Sequence, residues 1–192
     1  MFAPLRIHAR AAIIFGVMME KLTAKTRAAL ENAHALAVDN DHSYLEPVHI
    51  LSALMDDDDS GVAAILSRAG AAADRVRDEL QKAVANLPVA SRPPGEAPPS
   101  RETGKILNLA FKDSRQRGDS HLSAEVLLVA LARRAPVARE ILKKCGTDPE
   151  RVAAAAEAVR GGRRQRGYRR QGARVRGRAR ITGRGCADSR GR

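Results

Sequence analysis

Apolar residues recur along this chain at helical spacing, in segments separated by polar, glycine or proline punctuation. Thr23 is a good helix cap, and the apolar face Leu22, Thr26, Ala29, Leu30, Ala33, Leu36 and Ala37 predicts a helix behind it. Lys25, Arg27, Glu31 and Asn32 face water, and the polar run Asp39 to Ser43 ends the segment. Pro47 fits the first position of a second helix, where its missing N–H costs nothing, and Val48, Ile50, Leu51 and Leu54 follow. The block Asp56 to Ser60 with Gly61 breaks it. A short third helix near Val62 to Ala69 closes at Gly70, a residue type suited to a left-handed C-terminal cap. A fourth, from about Asp74, turns Val76, Leu80, Val84 and Leu87 inward until Pro88.

Residues 89–99, Val-Ala-Ser-Arg-Pro-Pro-Gly-Glu-Ala-Pro-Pro, have no usable period and four prolines, which marks a linker. Beyond it the plan recurs. A helix from about Arg101 to Arg117 carries Ile106, Leu107, Leu109, Ala110 and Phe111, and another starts at Ala124 behind Ser123. Val137 to Lys144 closes at Gly146; Pro149 opens the last helix behind Asp148 or Thr147, and Thr147 with Glu150 has capping-box spacing. The step is fixed: at 77 residues Leu45 falls on Leu122, Ile50 on Leu127, Leu51 on Leu128 and Leu54 on Leu131. At 76 residues Ile65, Leu66 and Gly70 fall on Ile141, Leu142 and Gly146. Such coincidence indicates a duplicated helical unit. The expected architecture is all-α: eight helices in two pseudo-repeated four-helix units, about 20–88 and 100–162 within 19–162, with a disordered basic tail at 163–192.

Composition adjusts this picture in two places. Aromatics at 3 % and no Trp leave Leu, Ile, Val and Ala to build the core, which favours closely packed helices. The net charge of +12 is concentrated in residues 161–192, which hold 12 Arg against Asp188 alone. The body is therefore close to neutral. The tail has three readings: a nucleic-acid-binding segment whose guanidinium groups neutralise phosphates, a solvated terminus, or a linker read in a shifted frame. Residues 1–18 read as an unstructured extension or a start called too early, since Met18 and Met19 stand directly before the first helical period; a targeting segment is the alternative.

Catalytic signals are missing from the string. No Gly-x-x-x-x-Gly-Lys-Ser/Thr loop occurs, and no nucleophile stands near a base, so neither an enzyme nor a cofactor is expected. His8, His34, His42, His49 and His121 show no ligand spacing with one another or with Cys145 and Cys186, so no metal is expected. His49 reads as a helix residue that packs and hydrogen-bonds, and Cys145 as a small buried hydrophobe. Two cysteines make no disulfide framework and fit a reducing compartment, and no apolar run reaches the roughly 18 residues a membrane helix needs.

From Glu20 to Gly162 the chain resembles the amino-terminal domain of the Clp ATPases, the double Clp repeat. Leu45-Glu46-Pro47-Val48-His49-Ile50-Leu51, and Arg117-Gly118-Asp119 leading to Ser123-Ala124-Glu125, resemble the ClpB disaggregase type within it. Other types usually place Glu directly before His in the first copy, where this chain has Val48. The resemblance implies a mobile helical domain that engages unfolded or aggregated polypeptide for a hexameric ATPase. The ATPase modules are not in this chain, so ATP would enter only through them. Implied partners are unfolded polypeptides and a full-length ClpB hexamer, without a membrane, in the cytoplasm. Where the family would enter a charged linker after Gly161-Gly162, this chain reads Arg-Arg-Gln-Arg-Gly-Tyr-Arg-Arg. The competing reading is a nucleic-acid-binding protein acting through that tail.

In the family, a shallow apolar groove near the junction of the repeats takes exposed hydrophobic segments, and its polar margin matches Thr23, Asp119 and Glu125 here. A carboxylate beside such a groove can accept backbone N–H groups or attract basic client residues. Each residue also has a purely structural reading: Thr23 caps a helix, Asp119 sits in a turn, and Glu125 near a helix start suits the macrodipole. Ile106, Leu109, Ala110 and Val126 would floor the groove, and at helical spacing they serve equally as core. So small a surface implies affinities of roughly micromolar or weaker.

Overall fold

Thr23 and Ser100, 77 residues apart, start their helices in the same way. Each has extended backbone, and each hydroxyl accepts the backbone N–H three residues on, from Thr26 at 3.3 Å and Thr103 at 3.2 Å. The helices behind these caps, α1 (Ala24–Asp39) and α5 (Arg101–Gln116), are both 16 residues long. The computed structural model describes residues 19–90 and 97–161. The expectations for residues 1–18, for the middle of the linker and for the tail with Cys186 lie outside the described residues.

The remaining elements follow the repeat. α2 (Pro47–Asp56) has Pro47 in its first turn, and a 3-10 turn (Asp58–Ser60) separates it from α3 (Val62–Arg68). α4 (Ala73–Ala85) ends the first unit. In the second unit α6 (Ala124–Arg134) and α7 (Pro136–Lys144) match α2 and α3, and residues 149–156, helical at offset 76 from the start of α4, form α8. Eight helices and no strand make up the described residues, as the periodicity implied. Described residues up to Ala156 belong to one compact unit, and 157–161, also helical, to a second.

Turn geometry repeats as well. Gly70 (φ 94) and Gly146 (φ 86) both leave their helices in the left-handed region. Asp41 (φ 55) and Gly118 (φ 74) occupy equivalent places after α1 and α5, so one repeat puts a carboxylic acid where the other has the residue that tolerates this backbone.

α2 and α6 make the centre. Residues Ala124 through Ala132 are all buried, as are Ile50, Leu51, Leu54 and Met55, and the two helices pack against each other. Full burial of one such side chain contributes about 1.5–3 kcal/mol, which makes this helix pair the main apolar reservoir. The outer helices each give one face to it: Leu30 and Ala33 from α1, Leu107 and Ala110 from α5.

The two units exchange backbone at both ends. Leu22 pairs with Leu122, and Leu45 with Pro99, each in parallel sense and related by the same 77-residue step. Thr23 N–H donates to Leu122 O (3.0 Å) and Leu122 N–H to Lys21 O (2.8 Å); Ser100 N–H donates to Leu45 O (3.1 Å) and Leu45 N–H to Pro98 O (2.9 Å). Thr103 Oγ1 adds a 2.7 Å bond to Leu45 O, buried at both ends. Both ends of the linker thus close on the loop between α1 and α2, since Ala90 N–H also reaches Asp41 O (2.8 Å).

Four local expectations change: the fourth helix stops at Ala85, so Leu87 lies beyond it and is only half-buried, and three others follow. Thr147 forms no capping box with Glu150: its hydroxyl crosses to Ala69 O (2.9 Å), while Asp148 accepts the N–H groups of Glu150 and Arg151 (2.9 and 3.0 Å). Tertiary demand for a buried partner at Ala69 O outcompetes the local bond. Ser123 holds the N-cap position without a side-chain cap bond. Leu36, placed on the inner face by the helical period, is only half-buried.

Candidate functional site

The pairing of Leu22 with Leu122 joins the backbone at Thr23 to the segment that carries Asp119 and Glu125. Thr23 is fixed by its own N–H on Leu122 O, and its hydroxyl lies 2.7 Å from that of Thr26. Asp119 belongs to the loop that delivers Leu122, and its N–H closes that loop on Ser114 O (3.0 Å). Ser114 Oγ donates to His121 O (3.1 Å), which braces the same turn. Glu125 lies in the first turn of α6, at 9 % exposure, where a carboxylate complements the helix N-terminus. Thr23 and Asp119 are half-buried. The cap and the helix-start position describe Thr23 and Glu125 as well as any binding role does.

The apolar residues assigned to the floor divide. Ile106, Ala110 and Val126 are buried at 2 %, 0 % and 5 % exposure, part of the core between α5 and α6. Leu109 is half-buried on α5 and is the one of the four with substantial surface.

The equivalent junction in the first repeat holds a feature the sequence reading did not bring together. His42 and His49 stand at the positions of Asp119 and Val126, and His42 Nδ1 lies 2.8 Å from His49 Nε2 with both rings buried. Glu46 N–H can only donate, and it reaches His49 Nδ1 at 3.0 Å. His49 therefore carries its ring proton on Nε2 and donates it to His42 Nδ1. Any added proton must displace one of these bonds. Burial, and then the His42 ring, lower the His49 pKa to about 4. The three-residue spacing of Glu46 and His49 was a legible cap signal; the ring pair was not, because nothing local couples His42 to His49.

Two adjoining grooves open on the first repeat, the first of them beginning at Ala24, next to Thr23. One, of about 640 Å³, runs along α1 and the end of α2 over Ala24, Ala28, Ala35, Leu36 and Ala53. The other, of about 600 Å³, continues towards α4 and shares Leu36 and Asp56 with the first. Cys145 is buried, and burial pushes its thiol pKa up, away from the thiolate that reactivity requires. Among the described residues no group of three or more His, Cys, Asp and Glu is placed to hold a metal ion, and no helix is long and apolar enough to cross a membrane.

Comparison with known proteins agrees with this architecture. Residues 21–145 match the family model described as the Clp repeat (R) N-terminal domain. The chaperone protein ClpB of Dichelobacter nodosus is 39 % identical over 148 residues, which cover 77 % of this chain and 17 % of that protein. The chain thus spans about a sixth of the length of the curated relatives it matches. Among solved structures, the Hsp104 N-terminal domain from Candida albicans superposes with a TM-score of 0.68 at 25 % identity, covering 73 % of this chain and 92 % of that one. A complex of the ClpV N-domain with a VipB peptide shares the fold, with a TM-score of 0.58 at 22 % identity over 72 % and 86 % of the two chains. With its duplicated four-helix plan and this match over 125 consecutive positions from 21 to 145, the chain belongs to the Clp repeat N-terminal domain family.

Proposed function

We propose that this chain is the client-recognition module of a ClpB-like protein disaggregase, acting in the cytoplasm and in stress, and that it binds exposed hydrophobic segments of unfolded or aggregated polypeptide. The observation that supports the reading is the Leu22–Leu122 pairing, which joins the backbone at Thr23 to the segment running from Asp119 to Glu125, while Leu109 on α5 keeps part of its surface. The family match supports it, and the ClpV N-domain complex supports a peptide ligand for this fold. Ile106, Ala110 and Val126 are buried and serve that surface only as core. Hydrolysis of ATP, and threading, belong to modules that a full-length ClpB hexamer would supply.

The margin acids act by accepting client N–H groups or pairing with client cations, while apolar client side chains cover Leu109. A permanently unfolded, fluorescently labelled model protein titrated into the full chain tests this by anisotropy. The triple variant Thr23→Ala, Asp119→Asn, Glu125→Gln should bind about tenfold more weakly, the scale of one charge-assisted hydrogen bond lost. Deletion of residues 163–192 should leave client binding in place. Client binding that disappears with the tail, alongside nucleic-acid binding with steep salt dependence, would favour the nucleic-acid reading instead.

A further inference from the structure

We infer that the groove between α1 and α2 is a second docking site, separate from the client margin, for a basic amphipathic helix of a partner protein. Three observations converge on it. First, its floor is small and apolar: Ala24, Ala28 and Ala35 are exposed, Leu36 is half-exposed, and together they give α1 an outward apolar stripe opposite the one it buries. Small side chains let a partner helix approach closely, and the stripe from Ala24 to Leu36 spans about 18 Å of helix, room for roughly three turns.

Second, the lining carries Asp39, Asp56 and Asp57 against the one cation Lys25, and the acids lie where helix dipoles already concentrate negative potential. α1 ends at Asp39, α2 ends at Asp56 with Asp57 as its cap, and all three line the same groove. Among the described helices α1 to α7, only α1 and α2 lack a cation in the last turn; α5, α6 and α7 carry Arg115, Arg133 with Arg134, and Lys143 with Lys144 there. Asp39 and Asp56 end two converging helices with charges that oppose the macrodipole, and a cationic ligand relieves both at once. The carboxylates are too dispersed to enclose a single metal ion, which leaves charges spread along a chain.

Third, the duplication supplies its own negative control. The positions equivalent to Ala24, Ala28, Ala35, Asp56 and Asp57 are Arg101, Lys105, Lys112, Arg133 and Arg134, all exposed. The corresponding positions of the second repeat thus carry these five cations against Glu102 and Asp113, which stand at the places of Lys25 and Leu36, and that charge balance repels the ligand the first attracts. Residues 20–88 hold 12 acidic and seven basic side chains, and residues 100–161 eight acidic and 12 basic, so the contrast extends to the whole of each repeat.

The test uses the full chain and a fluorescein-labelled synthetic 18-residue helical peptide, apolar with Leu and Ala on one face and Lys on the rest, with a control carrying Glu in place of Lys. The Lys peptide should bind, weaken with added salt, and shift amide signals of residues 24–39 and 53–57; the Glu peptide should not bind. Asp39→Lys with Asp56→Lys should lower affinity at least tenfold while keeping wild-type helicity, since lysine suits a helix C-terminus. Ala28→Lys, which copies Lys105, should do the same by filling the groove. The double variant Asp119→Asn, Glu125→Gln, which leaves the α1 cap Thr23 intact, should bind the peptide as wild type does, which separates this site from the proposed client site. Equal binding by wild type and both groove variants, no binding of the Lys peptide, or self-association through this groove in sedimentation overturns the proposal.

Discussion

The two repeats fold on one plan and spend it differently. Backbone positions coincide at a step of 77: both caps, both 16-residue first helices, both exchange bridges. Side chains in the loops and at the helix ends do not. The first repeat places Asp41, His42 and His49 where the second has Gly118, Asp119 and Val126, and it ends its first two helices on Asp39 and Asp56 where the second has Gln116 and Arg133. The lesson is that packing positions fix the fold, whereas loop and helix-end positions are free to acquire separate tasks.

The largest expected effect tests whether the cores are equivalent. Leu51 and Leu128 are both fully buried at matching positions, so Leu51→Ala and Leu128→Ala should each cost about 2–5 kcal/mol in urea unfolding, with similar losses. Unequal losses beyond that range would break the equivalence. Next comes acid. With His49 held neutral at a folded pKa of about 4 against about 6.5 unfolded, its stabilisation is present above pH 6.5 and is lost as pH falls towards 4, a loss of about 3 kcal/mol. Unfolding midpoints measured across that window should fall in wild type and fall less in His49→Val, which copies Val126.

Smaller effects compare the caps and turns. Thr23→Ala and Ser100→Ala should each cost about 1 kcal/mol by thermal unfolding, because each removes one acceptor for an otherwise unpaired helix N–H. Asp41→Gly should stabilise and Gly118→Asp destabilise, each by about 1 kcal/mol or less, since both positions have positive φ.

Much of this was legible in the string because it is local. Apolar period, Pro47 at a helix start, Gly70 and Gly146 at helix exits and the 77-residue step are all short-range marks. Leu45 and Leu122 were visible as repeated apolar positions, yet their exchange with Pro99 and Leu22 was not, since cross-chain backbone pairing leaves no periodic trace. Thr147 misled for the same reason: its capping spacing is local, but its hydroxyl goes to Ala69 O. Of the candidate site, helical spacing could not separate the accessible Leu109 from the buried Ile106 and Ala110, which differ in burial by less than one helical turn of position. The groove on α1 escaped notice because Ala24, Ala28 and Ala35 look like ordinary helix formers.

Amide chemical-shift mapping of the full chain with an unfolded model protein reads the client site most directly. The expected result is perturbation of residues 22–24, of the loop 117–123 and of the first turn of α6, with Leu109 alongside. Perturbation confined to residues 162–192, or spread evenly over both repeats, would contradict the assignment of client recognition to that junction.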